Sequence, residues 1–349
     1  MVASSNFWFG SSGFYGYEIN SSMRFSNDHS ASISRTPSSA GNRRTFTISL
    51  WTKKMGNAPS GAEWVISAHD NSTGDSSAYF GINFGTGDTL AVVAYANYRV
   101  TTPVFRDNSS WYHIVLAVDS TQGSASNRMK LYVNGSQITA LATDATVALN
   151  HDFGWNNTIE HRVGAINVSG SEGYYDGYVA EVHNIDGSQL TPSSFGETKE
   201  GVWIPKAYTG SYGTNGFYLK FDQTGSGTPS SSTMGADSSG NDNHFSQSNI
   251  NPIDSNLPDS PTNNFCTWNV LNKDSDISTK FGNTSATSGT SGSHSNIKGT
   301  MQMNSGKWYA EFIHTAASGG TTATAMGICT EAYVVTNTHP VSSSSGAWG

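Results

Sequence analysis

Apolar and polar positions alternate along most of this chain with a period of two, in short runs set between clusters of Gly, Ser and Asn. Residues two apart on a strand share a face, so the pattern is that of β-strands, and no long stretch repeats apolar residues at the 3.6 period of a helix. The clearest case is 111–135, WYHIVLAVDSTQGSASNRMKLYVNG. In its first half Tyr112, Ile114, Leu116 and Val118 alternate with Trp111, His113, Val115 and Ala117. That half is apolar on both faces, which predicts a central strand covered on both sides. In its second half Met129, Leu131 and Val133 alternate with Lys130, Tyr132 and Asn134. The intervening Ser-, Gly- and Asn-rich segment is a loop, and Asn134-Gly135 supplies the positive φ of a tight hairpin turn.

The same rhythm predicts strands at 45–53, 63–69, 78–84, 89–95, 161–166 and 174–185, with turn residues at most junctions. Two packed antiparallel sheets have this spacing, and Ile48, Leu50, Ile114, Leu116, Leu131 and Val133 are the expected interior. Thr191-Pro192 is a helix start, which Gly196 limits to one turn. Residues 1–19 carry Phe7, Trp8, Phe9, Phe14, Tyr15 and Tyr17 among Ser and Gly, too few for a core of their own. They read either as an arm that docks on a neighbouring chain or as a further strand on the same sandwich. Residues 201–264 place Trp203, Ile204, Phe217, Tyr218, Leu219 and Phe221 between polar turns. So many large apolar side chains predict a connector wrapped on the sandwich, since a free linker would lack them.

Several of these stretches carry a resemblance. The aromatic pair opening 111–135, its Val-Asp, and its close Leu-Tyr-Val-Asn-Gly resemble the laminin-G-like, concanavalin-A-type jelly rolls. So do Arg24-Phe25, the run from Ser34 to Arg44 leading into Thr45-Phe46-Thr47-Ile48-Ser49-Leu50-Trp51, and Tyr175-Asp176-Gly177-Tyr178-Val179-Ala180-Glu181-Val182 with Ile185-Asp186-Gly187. The set, over 20–200, is similar to modules of bacteriophage virion proteins, tail fibres and adhesins above all. After Phe265, Gly306-Lys307-Trp308-Tyr309-Ala310-Glu311-Phe312 and Ala325-Met326-Gly327-Ile328-Cys329 resemble the start of a SPRY-type sandwich. The expected organisation is an arm (1–19), an all-β jelly roll (20–200), a wrapped connector (201–264) and an incomplete second β-sandwich (265–349). Its open edges would be completed by further sequence or by partner chains.

Composition narrows the function. Of 349 residues 13% are charged and the net charge is −8, which speaks against the phosphate neutralisation that nucleic-acid binding needs. Two cysteines, Cys266 and Cys329, make no disulfide framework. The opening MVASSNFWFGSS lacks the basic and apolar regions of a signal peptide, and no apolar run reaches the ~20 residues of a membrane span. No strand carries the paired carboxylates of a retaining glycosidase: Glu181-Val182-His183 lacks the second acid, and only folding could bring Glu160 and Asp176 together. The ten histidines show no zinc spacing. The expectation is therefore no catalysis.

The resemblance implies a possible calcium ion at a loop edge, with Asp70, Asn71 and Asp75 as the densest oxygen-ligand loop, although Asp and Asn are also ordinary turn residues. Sugar recognition needs an aromatic platform beside amides and carboxylates. Asp152, Trp155, Asn156 and Asn157 combine these in one loop, unless Trp155 packs down as an anchor; the region from Asp70 to Tyr79 combines them more loosely. The resemblance implies a virion protein, made in the host cytoplasm and assembled into the particle as an oligomer. Phe7, Trp8, Phe9, Phe14 and Tyr15 would dock on other virion proteins, and the jelly roll would contact host surface polysaccharide. The alternatives are a purely architectural virion protein and a glycan-degrading tailspike.

Overall fold

The structure is a computed structural model that describes residues 13–56, 61–70, 79–94, 97–168, 171–289, 295–303, 305–314, 326–330, 335 and 347–348. One compact unit is Ser11–Asn264, and a second takes in the described residues from Phe265 onward. The first unit contains β1 (Met23–Phe25), β2 (Ser32–Arg35), β3 (Thr45–Lys54), β4 (Glu63–His69), β5 (Tyr79–Phe84), β6 (Thr89–Ala94) and β7 (Asn97–Val104). Next come β8 (Tyr112–Asp119), β9 (Met129–Val133), β10 (Ser136–Gln137), β11 (Leu141–Asp144), β12 (Glu160–Val163), β13 (Ala165–Val168) and β14 (Ser171–Tyr174). Last come β15 (Gly177–Asp186), β16 (Gly196–Lys199), β17 (Val202–Pro205), β18 (Phe217–Leu219) and β19 (Ser246–Ser248). Thr191-Pro192 opens a single 3-10 turn, Pro192–Ser194.

A seven-stranded sheet runs β1-β15-β3-β8-β9-β10 with β18 also on β15, and an eight-stranded sheet runs β11-β7-β6-β5-β4-β12-β2-β19. Their inner faces meet in one core. Phe46, Ile48, Leu50, Ile114, Leu116, Val118, Leu131 and Val133 come from the first sheet, and Ile33, Ile66, Phe80, Ile82, Phe84, Val92 and Val163 from the second. All six residues predicted to be interior are buried. The strand predicted at 161–166 is two strands. Gly164, at φ 85°, breaks it, and a Cβ there would lie 2.1 Å from the Phe25 ring. The chain reverses, and the β13–β14 hairpin lies over β4, where Ser67 Oγ donates to the Ala165 carbonyl at 2.7 Å.

The outer face of the seven-stranded sheet is also covered, which is why β8 is apolar on both sides. Trp51, Trp111, Tyr178 and Ala180 pack with Tyr17, Ile19, Trp203 and Leu257, and Val115 and Ile185 pack with Phe195, Tyr208 and Tyr212. The covering segments are residues from Gly13 onward and the connector, so the connector is part of the sandwich unit. Phe14, expected to dock on another chain with Tyr15, lies against this unit. Lys199 Nζ donates to the Gly13 carbonyl at 2.5 Å and the Phe14 carbonyl at 2.6 Å, and stands 5.5 Å over the Phe14 ring. The Phe14 ring has a partner within the chain, and Tyr15 packs edge-on against Phe14, both still half-exposed. Phe7, Trp8 and Phe9 lie outside the described residues.

The second unit contains two-stranded ribbons: β20 (Trp268–Lys273) with β23 (Ile297–Gly299), β21 (Ile277–Lys280) with β22 (Ser285–Ser288), and β24 (Ile328–Cys329) with β25 (Ala347–Trp348). The strand expected at 306–312 does not form. Residues 305–314 show no strand, and Trp308, Tyr309 and Phe312 are exposed. No helix among the described residues is long and apolar enough to cross a membrane.

Two wholly buried histidines make the unit acid-sensitive. Burial pushes His113 down to about 3 and His161 down to about 4 from a usual 6.5. The unfolded chain therefore binds protons that the native state refuses, and their stability contribution is lost as pH falls from 6.5 towards 4 and, for His113, about 3. Each refused proton lowers stability by about 1.4 kcal/mol per pH unit. A His113→Gln variant should show a flatter dependence of urea midpoint on pH between those limits; an unchanged slope would contradict this origin.

Candidate functional site

The loop expected to offer a sugar platform is folded inward. Trp155 is 0% exposed, donates through Nε1 to Asn184 Oδ1 at 2.9 Å, and lies 5.6 Å from the Phe80 ring and 4.6 Å from His161. No ring face is left for a ligand. An indole carries enough apolar area that the core gains more from it than the loop would. Asn156 is buried too, at φ 60°, with its N–H donating to His161 Nε2 at 2.9 Å and its Nδ2 to Asn42 O and Asp186 Oδ1. Asp152 is exposed and paired with Arg44 at 2.8 Å, which holds its carboxyl below the usual range. Asn157 is half-buried, closing a turn on Gly154. This loop anchors the sandwich; of the four expected contacts only Asp152 and Asn157 reach solvent.

Of the expected calcium ligands, Asp70 is half-buried just past the end of β4, and Asn71 and Asp75 lie outside the described residues. Among the described residues no three His, Cys, Asp or Glu side chains cluster as a metal site. Glu160 and Asp176 stay apart: Glu160 pairs with His69 at the end of β4, whereas Asp176 acts on Glu63 at its start. Glu181 sits at φ 50° where β15 shifts register against β3, so its side chain reaches the covered outer face. There Oε1 accepts from Tyr17 at 2.9 Å and from Tyr218, and Oε2 meets His183 Nε2 at 3.2 Å. His183 is stacked 4.3 Å from the Tyr218 ring. With both oxygens engaged under two segments of chain, this carboxylate holds the cover in place.

The outer face of the eight-stranded sheet is different. Cross-strand pairing puts Glu160, His69 and Tyr79 in one row and Arg162, Ser67 and Gly81 in the next. Paired residues share a face, and the alternate positions, His161, Ala68 and Phe80, point to the core. Arg162 Nε holds Glu160 Oε2 at 2.8 Å, with Glu160 the more exposed at 38% against 17%. Gly81 lets Trp64 lie flat, since a Cβ there would stand 2.6 Å from Trp64 Cζ3. Trp64 and His69 then support the Tyr79 ring at centroid distances of 5.4 and 5.8 Å. Tyr79 remains half-exposed, and burial of its lower part pushes its hydroxyl up to about 12.

The β13–β14 hairpin adds Asn167 over His69, whose imidazole burial holds below its usual value. His69 Nδ1 is buried with no hydrogen-bond partner among the described residues. The result is a half-open aromatic ring on β5, with the Glu160 carboxylate and the Arg162 guanidinium two strands away on β12 and the Asn167 backbone over His69 between them. Sequence reasoning placed the Asp70–Tyr79 region second, weighed Glu160 only as a catalytic partner for Asp176, and missed Arg162 and Asn167. The signal available was alternation: 67 and 69, 79 and 81, and 160 and 162 are the off-core positions of three strands.

Residues 25–194 match the profile of the concanavalin A-like lectin/glucanases superfamily. Among curated proteins no relative matches. Among solved structures the chain is similar to a native heptameric SAP-like pentraxin from Limulus polyphemus, at 16% identity and TM-score 0.37, over 50% of this chain and 80% of that one. It is also similar to a Trypanosoma rangeli sialidase, at 18% identity and TM-score 0.31, over 43% of this chain and 22% of the sialidase. A third is the CBM40 of Ruminococcus gnavus IT-sialidase, bound to α2,3-sialyllactose, at 12% identity and TM-score 0.32, over 47% of this chain and 91% of that one. Likenesses at this level carry no functional argument. Together with the two-sheet antiparallel topology, the profile match gives residues 25–194 the architecture of a concanavalin A-like jelly-roll sandwich.

Proposed function

We propose that this jelly roll is a non-catalytic glycan-binding module whose ligand stacks on Tyr79. Glu160, Arg162 and Asn167 would hydrogen-bond the ligand's hydroxyls. The observation that carries the reading is the half-exposed Tyr79 ring, propped from below by Trp64 and His69 and placed in one row with Glu160. A propped ring loses little conformational freedom on binding, and polar groups at its rim fix orientation. The resemblance of 20–200 to phage modules supplies the setting: a tail fibre or similar component, assembled as an oligomer on the virion and contacting host surface polysaccharide.

An array of immobilised bacterial polysaccharides tests this with the full chain. Wild type should bind at least one class, and Tyr79→Ala should bind it about tenfold or more weakly, the loss of about 1.4 kcal/mol or more typical of a removed anchor. Binding that Tyr79→Ala leaves unchanged would refute the site. Incubation with the bound polysaccharide should release no reducing sugar, because Glu181 is buried with both oxygens engaged by Tyr17, Tyr218 and His183. Release that vanished in Glu181→Gln would instead support a tailspike.

A further inference from the structure

Consecutive residues at the end of β3 are both buried lysines, and they differ. Lys53 Nζ lies 2.9 Å from Asp259 Oδ2 and 2.8 Å from Oδ1 of Asn264, which is exposed. Lys54 is sealed. Its side chain is 0% exposed, its Nζ is 2.5 Å from Asp88 Oδ1, and the Asp88 side chain is 5% exposed. The amine stands 5.0 Å from the centre of the Phe84 ring, and Phe105 and Tyr175 adjoin that ring. Lys54 belongs to the seven-stranded sheet and Asp88 to the β5–β6 turn of the eight-stranded one. Asp88 is held there at φ 64°, with its carbonyl accepting from Phe105 N–H at 2.8 Å.

A third group completes the arrangement. Glu63, paired with Phe84, is close enough to feel the charges of both Lys54 and Asp88. Its Oε2 is buried with no hydrogen-bond partner among the described residues. Burial is the main cause that pushes its carboxyl up to about 7, so near neutrality it is in part a protonated acid able to pass a proton on.

We propose that Lys54 and Asp88 condense to an amide that ties the two sheets together covalently, with Glu63 relaying the proton. A Nζ–Cγ bond forms and the Cγ–Oδ1 bond breaks. Oδ1 leaves as water, carrying the two protons that the Lys54 nitrogen gives up, with Glu63 relaying them. Oδ2 becomes the amide oxygen, facing Arg106 Nε at 3.5 Å. The amide N–H keeps the Phe105 carbonyl, now 3.2 Å from Nζ, as its acceptor. No oxidant or other reactant is needed. Fixed juxtaposition of the two side chains drives the step, since it is worth an effective molarity on the order of 10⁵–10⁸ M.

Intact-mass measurement of the denatured full chain should give a mass one water below that of the sequence, with a branched peptide joining Lys54 to Asp88. Asp88→Asn should form the same link with loss of ammonia. The near-isosteric Glu63→Gln, shown folded by near-UV circular dichroism, should run at its full sequence mass. Wild type at its full sequence mass would overturn the proposal. So would a link mapped to Lys53, or a fully linked Glu63→Gln.

Discussion

Trp155→Ala should destabilise the sandwich by about 3–5 kcal/mol, the range for deleting a large buried aromatic from a packed core. The indole is 0% exposed and touches Phe80, His161 and Phe217, which belong to different strands, so no single neighbour can collapse into the space. The substitution also strands Asn184 Oδ1, which accepts the indole N–H at 2.9 Å. Asn184 Nδ2 meanwhile donates to Asn156 Oδ1 and to the Asn215 carbonyl, so disturbance at one amide passes to two loops. Urea unfolding followed by fluorescence should show the loss as a lower midpoint. A surface platform behaves otherwise: its removal weakens ligand binding and leaves the midpoint in place. An unchanged midpoint would return Trp155 to the candidate sugar contacts.

Asp259→Ala is expected to cost a similar amount, about 3–5 kcal/mol, by a different route. Asp259 accepts from Lys53 Nζ at 2.9 Å and from Trp111 Nε1 at 3.1 Å, at a site where the two charged side chains are 1% and 9% exposed. Removing the carboxylate leaves a buried ammonium without its counter-charge. Removing both charges does not, so the double variant Lys53→Met/Asp259→Leu should recover most of the lost stability. The measurement is a double-mutant cycle of thermal midpoints. Additive losses, with no recovery in the double variant, would mean that the connector is held by packing and that the ion pair adds nothing.

The strands that alternate cleanly were legible from the sequence, and those lost in irregular or locally paired stretches were not. The predictions at 45–53, 63–69 and 129–134 differ from β3, β4 and β9 by no more than a residue, because each carries an uninterrupted run of core positions. β7 was missed: Asn97–Val104 contains Pro103 and a polar Thr101-Thr102, and it becomes a strand by pairing with β6 and β11. The short strands β16, β17 and β18 likewise depend on partners, which a local pattern does not reveal. The 161–166 run hid its break because Gly164 reads as a small core residue until the Phe25 ring is seen against it.

The candidate site was less legible for a related reason. A loop that lists Asp, Trp and two Asn in sequence looks like a binding site, but burial decides, and Trp155 and Asn156 are interior. Tyr79 is on β5, and Glu160 and Arg162 are on β12, far away in sequence; only the order β5-β4-β12 brings them onto one stretch of sheet. The aromatic N-terminal segment shows the same limit. Phe14 and Tyr17 looked unpartnered until Lys199 and Glu181 were placed beside them.

The most direct test of the glycan-binding face is a crystal structure of the full chain soaked with the polysaccharide fragment that binds best on the array. The account predicts a sugar ring against Tyr79, with hydroxyls within hydrogen-bond reach of Glu160, Arg162 or Asn167. A fragment seated on the 151–157 loop, or on the covered seven-stranded sheet with the connector displaced, would contradict it.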